Sequence, residues 1–199
     1  MGRRKQISDE ALLQGAREVF SEKGFSVSTR IIAKTLGVSE AVIYQRFESK
    51  AELFFAAMVP PGYDVEQLFD ELHTGRNTQE QLQRIVLALM DYYRQVIPIL
   101  LQLITHPSFD SSSFYAKNPA SPDRRFQSRF ISFLRQQHEL GNIRVYNPQA
   151  VTGMFFSSIH GLVLFERLGV QGGDISDNVI KGMVVAFWNG LAPHRLEPA

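Results

Sequence analysis

Residues 28–50 read STRIIAKTLGVSEAVIYQRFESK, and this stretch decides the fold. Ser28 is placed to cap a short helix, its hydroxyl accepting from an early backbone N–H. Ile32, Ala33 and Leu36 recur at helical spacing and give that helix a buried face. Gly37 then ends it, because glycine takes left-handed backbone at little cost. Ser39 caps a second helix, expected over Glu40–Phe47, with Ile43 and Phe47 four apart and inward. Two short helices around so tight a turn make a helix-turn-helix, whose second helix enters the DNA major groove.

The flanking segments extend this pattern. Ser8 caps a first helix over about Asp9–Lys23, with Ile7, Ala11, Leu12, Ala16, Val19 and Phe20 as its apolar stripe and Gly24 as its stop. Ser49 and Glu52 form a capping box for a fourth helix reaching about Met58. Pro60-Pro61-Gly62 breaks that helix and marks the domain boundary. Beyond it, helix patterns cover Val65–His73, then Thr78 to about Thr105, where Pro98 predicts a kink or a division into two helices. Residues 106–122, rich in Ser, Pro and Asp, read as a loop. Further helices are expected over Asp123–Leu140, Pro148–Leu168 and Ser176–Leu191. No period-two strand pattern persists, so the fold class is all-α.

The short motif spacings resemble those of the tetracycline-repressor-like (TetR/AcrR) family of bacterial transcription regulators. The matching residues are Phe20, Glu22, Lys23, Gly24 and Phe25, then Thr29, Ile32, Ala33, Gly37, Val38 and Ser39, then Ile43, Tyr44, Phe47, Ser49, Lys50 and Leu53. The family often has Gly-Thr or Pro-Thr before the Leu/Ile-Tyr pair, where this chain has Ala41-Val42. The resemblance implies a helix-turn-helix DNA-binding domain over residues 1–47, a connecting helix over 48–59, and a helical bundle for ligand binding and dimerisation over 60–199. It also implies a dimeric repressor on an inverted-repeat operator, released by a small effector. The alternative is a DNA-tethered adaptor whose C-terminal domain binds a protein partner and no small molecule.

Composition sets the outer bounds. The chain has 199 residues, 44% hydrophobic, and no cysteine, which excludes disulfide and thiolate chemistry and fits a cytoplasmic protein. No run of about 18 apolar residues lacks charge, so no membrane partner is expected. MGRRKQISDE is basic but has no apolar segment after it, unlike a signal peptide. Residues 1–50 hold nine Lys/Arg against six Asp/Glu, and residues 51–199 hold twelve against fourteen. The basic excess thus sits with the helix-turn-helix, as phosphate binding needs. Nucleotide-binding and hydrolase motifs are missing, and the five histidines never pair at metal-ligand spacing. No enzyme activity, cofactor or metal is expected.

Candidate sites follow from residue chemistry and from the resemblance. Arg3, Arg4 and Lys5 form a basic arm suited to a minor groove or to phosphates. The outer side of the second motif helix offers Glu40, Ala41, Val42, Tyr44, Gln45 and Arg46, with Thr29 and Arg30 beside it. Gln45 suits adenine and Arg46 guanine, whereas Ala41 and Val42 offer only apolar contact. The resemblance makes Tyr44 and Lys50 phosphate-backbone contacts. A pocket for an apolar or aromatic effector is expected among Met90, Tyr93, Phe130, Phe133, Phe156 and His160, though core packing also explains these residues. The same holds for the interface of a homodimer, expected at Phe155, Ser158, Gly161, Leu162, Phe165, Met183, Phe187 and Trp188 on the last two helices. The connecting helix is expected to be the only covalent route between the two parts.

Overall fold

The computed structural model describes residues 7–72, 77–119, 122–173 and 175–191. Arg3, Arg4, Lys5 and His73 lie outside the described residues. Ten α-helices follow in order among the described residues. They are α1 (Asp9–Lys23), α2 (Thr29–Leu36), α3 (Glu40–Tyr44), α4 (Lys50–Ala57) and α5 (Val65–Glu71), then α6 (Thr78–Ile104), α7 (Ser111–Lys117), α8 (Pro122–Glu139), α9 (Pro148–Arg167) and α10 (Asp177–Leu191). A single 3-10 turn covers Val170–Gly172, and no strand occurs among the described residues. The all-α expectation holds.

Local chemistry explains the helix ends. The Ser8 hydroxyl accepts from Ala11 N–H at 3.2 Å, and Ser28 from Ile31 N–H at 3.4 Å. The Ser49 hydroxyl accepts from Glu52 N–H at 3.1 Å, while the Glu52 carboxylate returns to the N–H of Glu48. Gly37 closes α2 in the left-handed region, at φ 68°. Ser39 departs from expectation, since its hydroxyl makes no cap bond. Its carbonyl already takes the Val42 N–H at 3.0 Å. α3 is also shorter than expected: Gln45 and Arg46 lie in a turn beyond Tyr44.

The chain packs as two units, Met1–Pro61 with Pro98–Asn118 and Gly62–Ile97 with Pro119–Ala199. In the first, Leu12, Phe20, Ile32, Ile43, Leu53 and Phe54 are fully buried together. Each such side chain contributes about 1.5–3 kcal/mol relative to exposure. α1 meets α2 over Gly15, where a Cβ would come within 2.1 Å of Leu36 Cδ2, the tip of a side chain that would have to turn aside. Arg17 ties α1 to the end of α4, donating Nε–H to the Ala57 carbonyl at 2.7 Å. Burial pulls this guanidinium below its ordinary range.

Three features of this unit lie outside the sequence expectation. Residues 106–122 are not simply a loop: Asp110 caps α7, its carboxylate accepting from Ser112 N–H at 3.1 Å and Ser113 N–H at 3.2 Å. Of the kink or division expected at Pro98, the division does not occur, and α6 runs on as one helix. Its last turns and α7 place Ile99, Leu103 and Phe114 in the same core as the helix-turn-helix. The chain therefore passes between the units three times, at 61/62, 97/98 and 118/119, so the connecting helix is not the only covalent route.

The second unit is built on the N-terminal part of α6. Leu82, Ile85, Leu89, Met90, Tyr92 and Tyr93 are buried there, with the Tyr92 ring 5.6 Å from Phe126 of α8 and the Tyr93 ring 3.8 Å from His160 of α9. Arg129 of α8 donates to Asp70 of α5 at 3.1 Å, and the Thr78 hydroxyl to Gln137 at 2.8 Å. By length and composition α6 alone among the described helices is apolar enough to cross a membrane. Half of the qualifying window is buried inside the protein, as in a core helix.

Candidate nucleic-acid interface

α2 and α3 present one exposed surface. Thr29, at the start of α2, is buried, and its hydroxyl donates to the Glu40 carboxylate at 2.8 Å. The same oxygen lies 3.1 Å from the Tyr44 hydroxyl. This three-residue network fixes α3 on α2, so Thr29 and Glu40 position the helix and hold Tyr44 in place. Beyond it, Arg30, Ala41, Tyr44 and Gln45 are exposed, and Val42 is half-buried against the core. Lys34, one turn after Arg30 on α2, is also exposed. Neither cation has an ion-pair partner among the described residues. Lys34 was legible at that i,i+4 spacing but is missing from the expected contacts.

One expected contact is held inward and a second is partly tied down. The expectation that Arg46 faces outward fails. Its Nη2–H donates to the Ile7 carbonyl at 2.7 Å, and Nη1 faces the Asp9 carboxylate at 2.9 Å without an aligned N–H. This side chain bolts the end of α3 to the start of α1. Lys50 Nζ lies 4.3 Å from the centre of the Phe25 ring and donates to the Val27 carbonyl at 3.4 Å. Its ammonium remains half-exposed at the start of α4.

A buried histidine lies in the same unit. The His106 ring stands edge-on to Phe25 at 4.3 Å and to Phe55 at 4.9 Å, and stacks on Phe54 at 5.3 Å. Its Nδ1 accepts from Ser108 N–H at 3.1 Å, while Nε2 has no hydrogen-bond partner among the described residues. The sequence reading assigned this residue to a loop.

In the second unit the expected pocket wall is packed. Met90, Tyr93, Phe130, Phe133 and Phe156 are all buried. Phe130 lies 6.0 Å from Phe133, 4.4 Å from Phe155 and 5.9 Å from Phe156. The His160 Nδ1–H donates to the Phe156 carbonyl at 2.8 Å, its ring lies 3.8 Å from that of Tyr93, and Tyr93 donates its hydroxyl proton to Asp123. A cleft of about 230 Å³ opens elsewhere in this unit, among α6, α9 and α10. Val86, Phe155, Ser158, Ile159, Met183 and Phe187 line it, four of them expected interface residues. Phe155 is committed inside its own chain, 4.9 Å from Phe187 as well as against Phe130. Ser158 and Phe165 are exposed, and Gly161, Leu162, Met183, Phe187 and Trp188 are half-buried. Met154, Leu168, Val179 and Val185 add exposed apolar surface on α9 and α10 and just past α9.

Comparison with known proteins agrees with this geometry. Residues 12–57 match the family model of bacterial regulatory proteins, tetR family. No curated protein matches the sequence. Among solved structures, one described as a transcriptional regulator from Saccharomonospora viridis, in complex with choline, is similar at a TM-score of 0.71 and 21% identity. The match covers 93% of this chain and 97% of that one. PfmR, a TetR family transcriptional regulator from Thermus thermophilus, is similar at 0.64 and 21% identity, over 92% of this chain and 99% of that one. A protein from Clostridium perfringens described as a fatty acid metabolism regulator is similar at 0.64 and 17% identity, over 92% and 99%. At such identities the likeness is one of fold. Residues 12–57 thus match a tetR-family helix-turn-helix domain, and the rest of the chain continues in the fold these regulators share.

Proposed function

We propose that the protein is a cytoplasmic repressor, which binds an inverted-repeat operator as a homodimer and leaves it when a small apolar or aromatic effector binds. The observation that carries the DNA-binding part is the exposed α2–α3 surface, held rigid by the Thr29–Glu40–Tyr44 network and ringed by Arg30, Lys34 and Lys50. Gln45 and Ala41 then read bases, while Tyr44, Lys50 and the basic arm Arg3, Arg4 and Lys5 hold the backbone. The exposed apolar side chains of α9 and α10 support a twofold partner on that face. The cleft among α6, α9 and α10 supports an effector of apolar character, and a chain of the same fold has been solved with choline. The last turns of α6 belong to the first unit, so a ligand touching α6 has a covalent path to the reading head. A tenfold release of DNA needs only about 1.4 kcal/mol of preference for the released state.

One observation favours the adaptor reading instead. The aromatic residues expected to wall a pocket are stacked as core. Two measurements decide between the readings. Sedimentation gives the oligomeric state, and a thermal-shift screen of small apolar compounds, followed by DNA binding with each hit, gives the effector. A micromolar dimer and a stabilising compound that weakens DNA binding support the repressor. A dimer stabilised by none of the compounds supports the adaptor, and a monomer on a single half-site removes the inverted-repeat reading.

A further inference from the structure

The DNA-binding unit has a cleft of its own, which no part of the proposed function uses. It measures about 280 Å³ and lies between α4 and the corner formed by α6 and α7. The rings of Phe55, Phe109 and Phe114 form its apolar walls, and Ser113, Asp110 and Lys117 its polar side. Phe114 is buried in the unit's core, whereas Phe55 and Phe109 are only partly covered. Phe109 lies 5.5 Å from Phe114 and 6.4 Å from Phe55, so three rings face one space.

The two charges here are not equivalent. The Asp110 carboxylate is committed to α7, accepting from two backbone N–H groups and from the Ser113 hydroxyl at 2.5 Å. Lys117 is exposed and has no ion-pair partner among the described residues. A ligand therefore meets one uncommitted charge, and it is positive. Aromatic walls with a lone ammonium at their edge suit a flat ring carrying an anion. We propose that this cleft is a second small-molecule site, on the DNA-binding unit itself, for a small aromatic carboxylate. The ring lies against Phe55 and Phe109, and the carboxylate pairs with Lys117.

The position of the site gives it a route to DNA within one unit. Phe55 packs on His106, His106 on Phe25, and the Phe25 ring carries the Lys50 ammonium. The His106 ring makes one hydrogen bond, through Nδ1, and otherwise ring contacts, so a displacement of Phe55 is passed on to it through packing.

The test uses the full chain with indole-3-carboxylate as probe and neutral indole as control, followed by NMR titration and equilibrium dialysis. The expected result is saturable binding, with shifts at the aromatic signals of Phe55, Phe109 and Phe114 that spread to His106 and Phe25. Lys117→Met should weaken it about fivefold, the size of a partly exposed ion pair. Lys117→Glu should make indole-3-carboxylate bind worse than tryptamine, the cationic analogue. Phe109→Ala should weaken both indoles alike. Absence of saturable binding, or binding indifferent to both Lys117 substitutions, overturns the proposal. So do shifts at the α6, α9 and α10 cleft in place of these rings.

Discussion

Replacing Arg46 with alanine separates two roles that one side chain cannot fill at once. In the sequence its guanidinium reads as a guanine contact, whereas in the structure it grips the start of α1. The Nη2–H to Ile7 carbonyl bond, at 2.7 Å, is charge-assisted and partly buried, with the Arg46 side chain 23% exposed. Loss of such a bond costs about 1.5–3 kcal/mol. The Asp9 carboxylate is 76% exposed, so its attraction adds only about 0–1 kcal/mol. Arg46→Ala should therefore destabilise the protein by about 2 kcal/mol. At 2–4 °C per kcal/mol for a chain of this size, the melting midpoint should fall by about 4–8 °C. Asp9→Asn should cost under about 1 kcal/mol. The assay is thermal unfolding by circular dichroism for both variants, paired with DNA selection on Arg46→Ala. The variant should keep the wild-type base preference at every position. A midpoint unchanged within 1 °C, together with a base preference lost at one position per half-site, would refute the bolt and restore base reading.

Other perturbations probe separate parts of the structure. Gly15→Val should destabilise by about 1–3 kcal/mol, because its Cβ meets Leu36 Cδ2 at 2.1 Å and the Leu36 side chain must repack around the added methyls; chemical denaturation measures this. Thr29→Val removes the hydroxyl shared by Glu40 and Tyr44, and should weaken specific DNA binding while leaving most of the weak binding to random DNA, by gel shift on both. The Asp110 carboxyl is held below its usual 3.8 chiefly by the Ser113 hydroxyl and the amides of Ser113 and Ser112. Its stabilisation of α7 is complete above the ordinary carboxylate range and is lost as pH falls through the depressed value. Asp110→Asn should remove that acid transition, seen as amide exchange over α7. Lys50→Ala should weaken binding to all sequences alike and lower the salt slope by roughly one, in affinity measured across a salt series.

The reading head was legible because its signals are local. Ser8, Ser28 and Ser49 act within four residues of themselves, and Gly37 within one turn. Long-range commitments were not legible. Arg46 finds Ile7 and Asp9 across more than thirty residues, and no periodicity records where a flexible side chain turns. α7 was hidden because its Ser-rich segment resembles a loop, although Asp110 ahead of Ser112 and Ser113 is a recognisable cap. The packing of Pro98–Asn118 with the head was equally invisible, since the apolar run of α6 reads the same on both sides of Pro98. Helical spacing showed that Phe130, Phe133 and Phe156 face inward. It contains no information on whether a ring meets another ring or a void, and here they meet rings.

Selection of bound duplexes from a random DNA pool, run on wild type, Gln45→Ala and Arg46→Ala, tests the central claim most directly. The wild type should enrich an inverted repeat whose half-site centres lie about 34–36 Å, or a multiple of that, apart. Gln45→Ala should lose preference at one position in each half-site, and Arg46→Ala should keep the wild-type sequence. A pool with no enriched sequence, or one enriched identically by all three proteins, would contradict a reading head whose base contacts come from α3 and the turn that follows it.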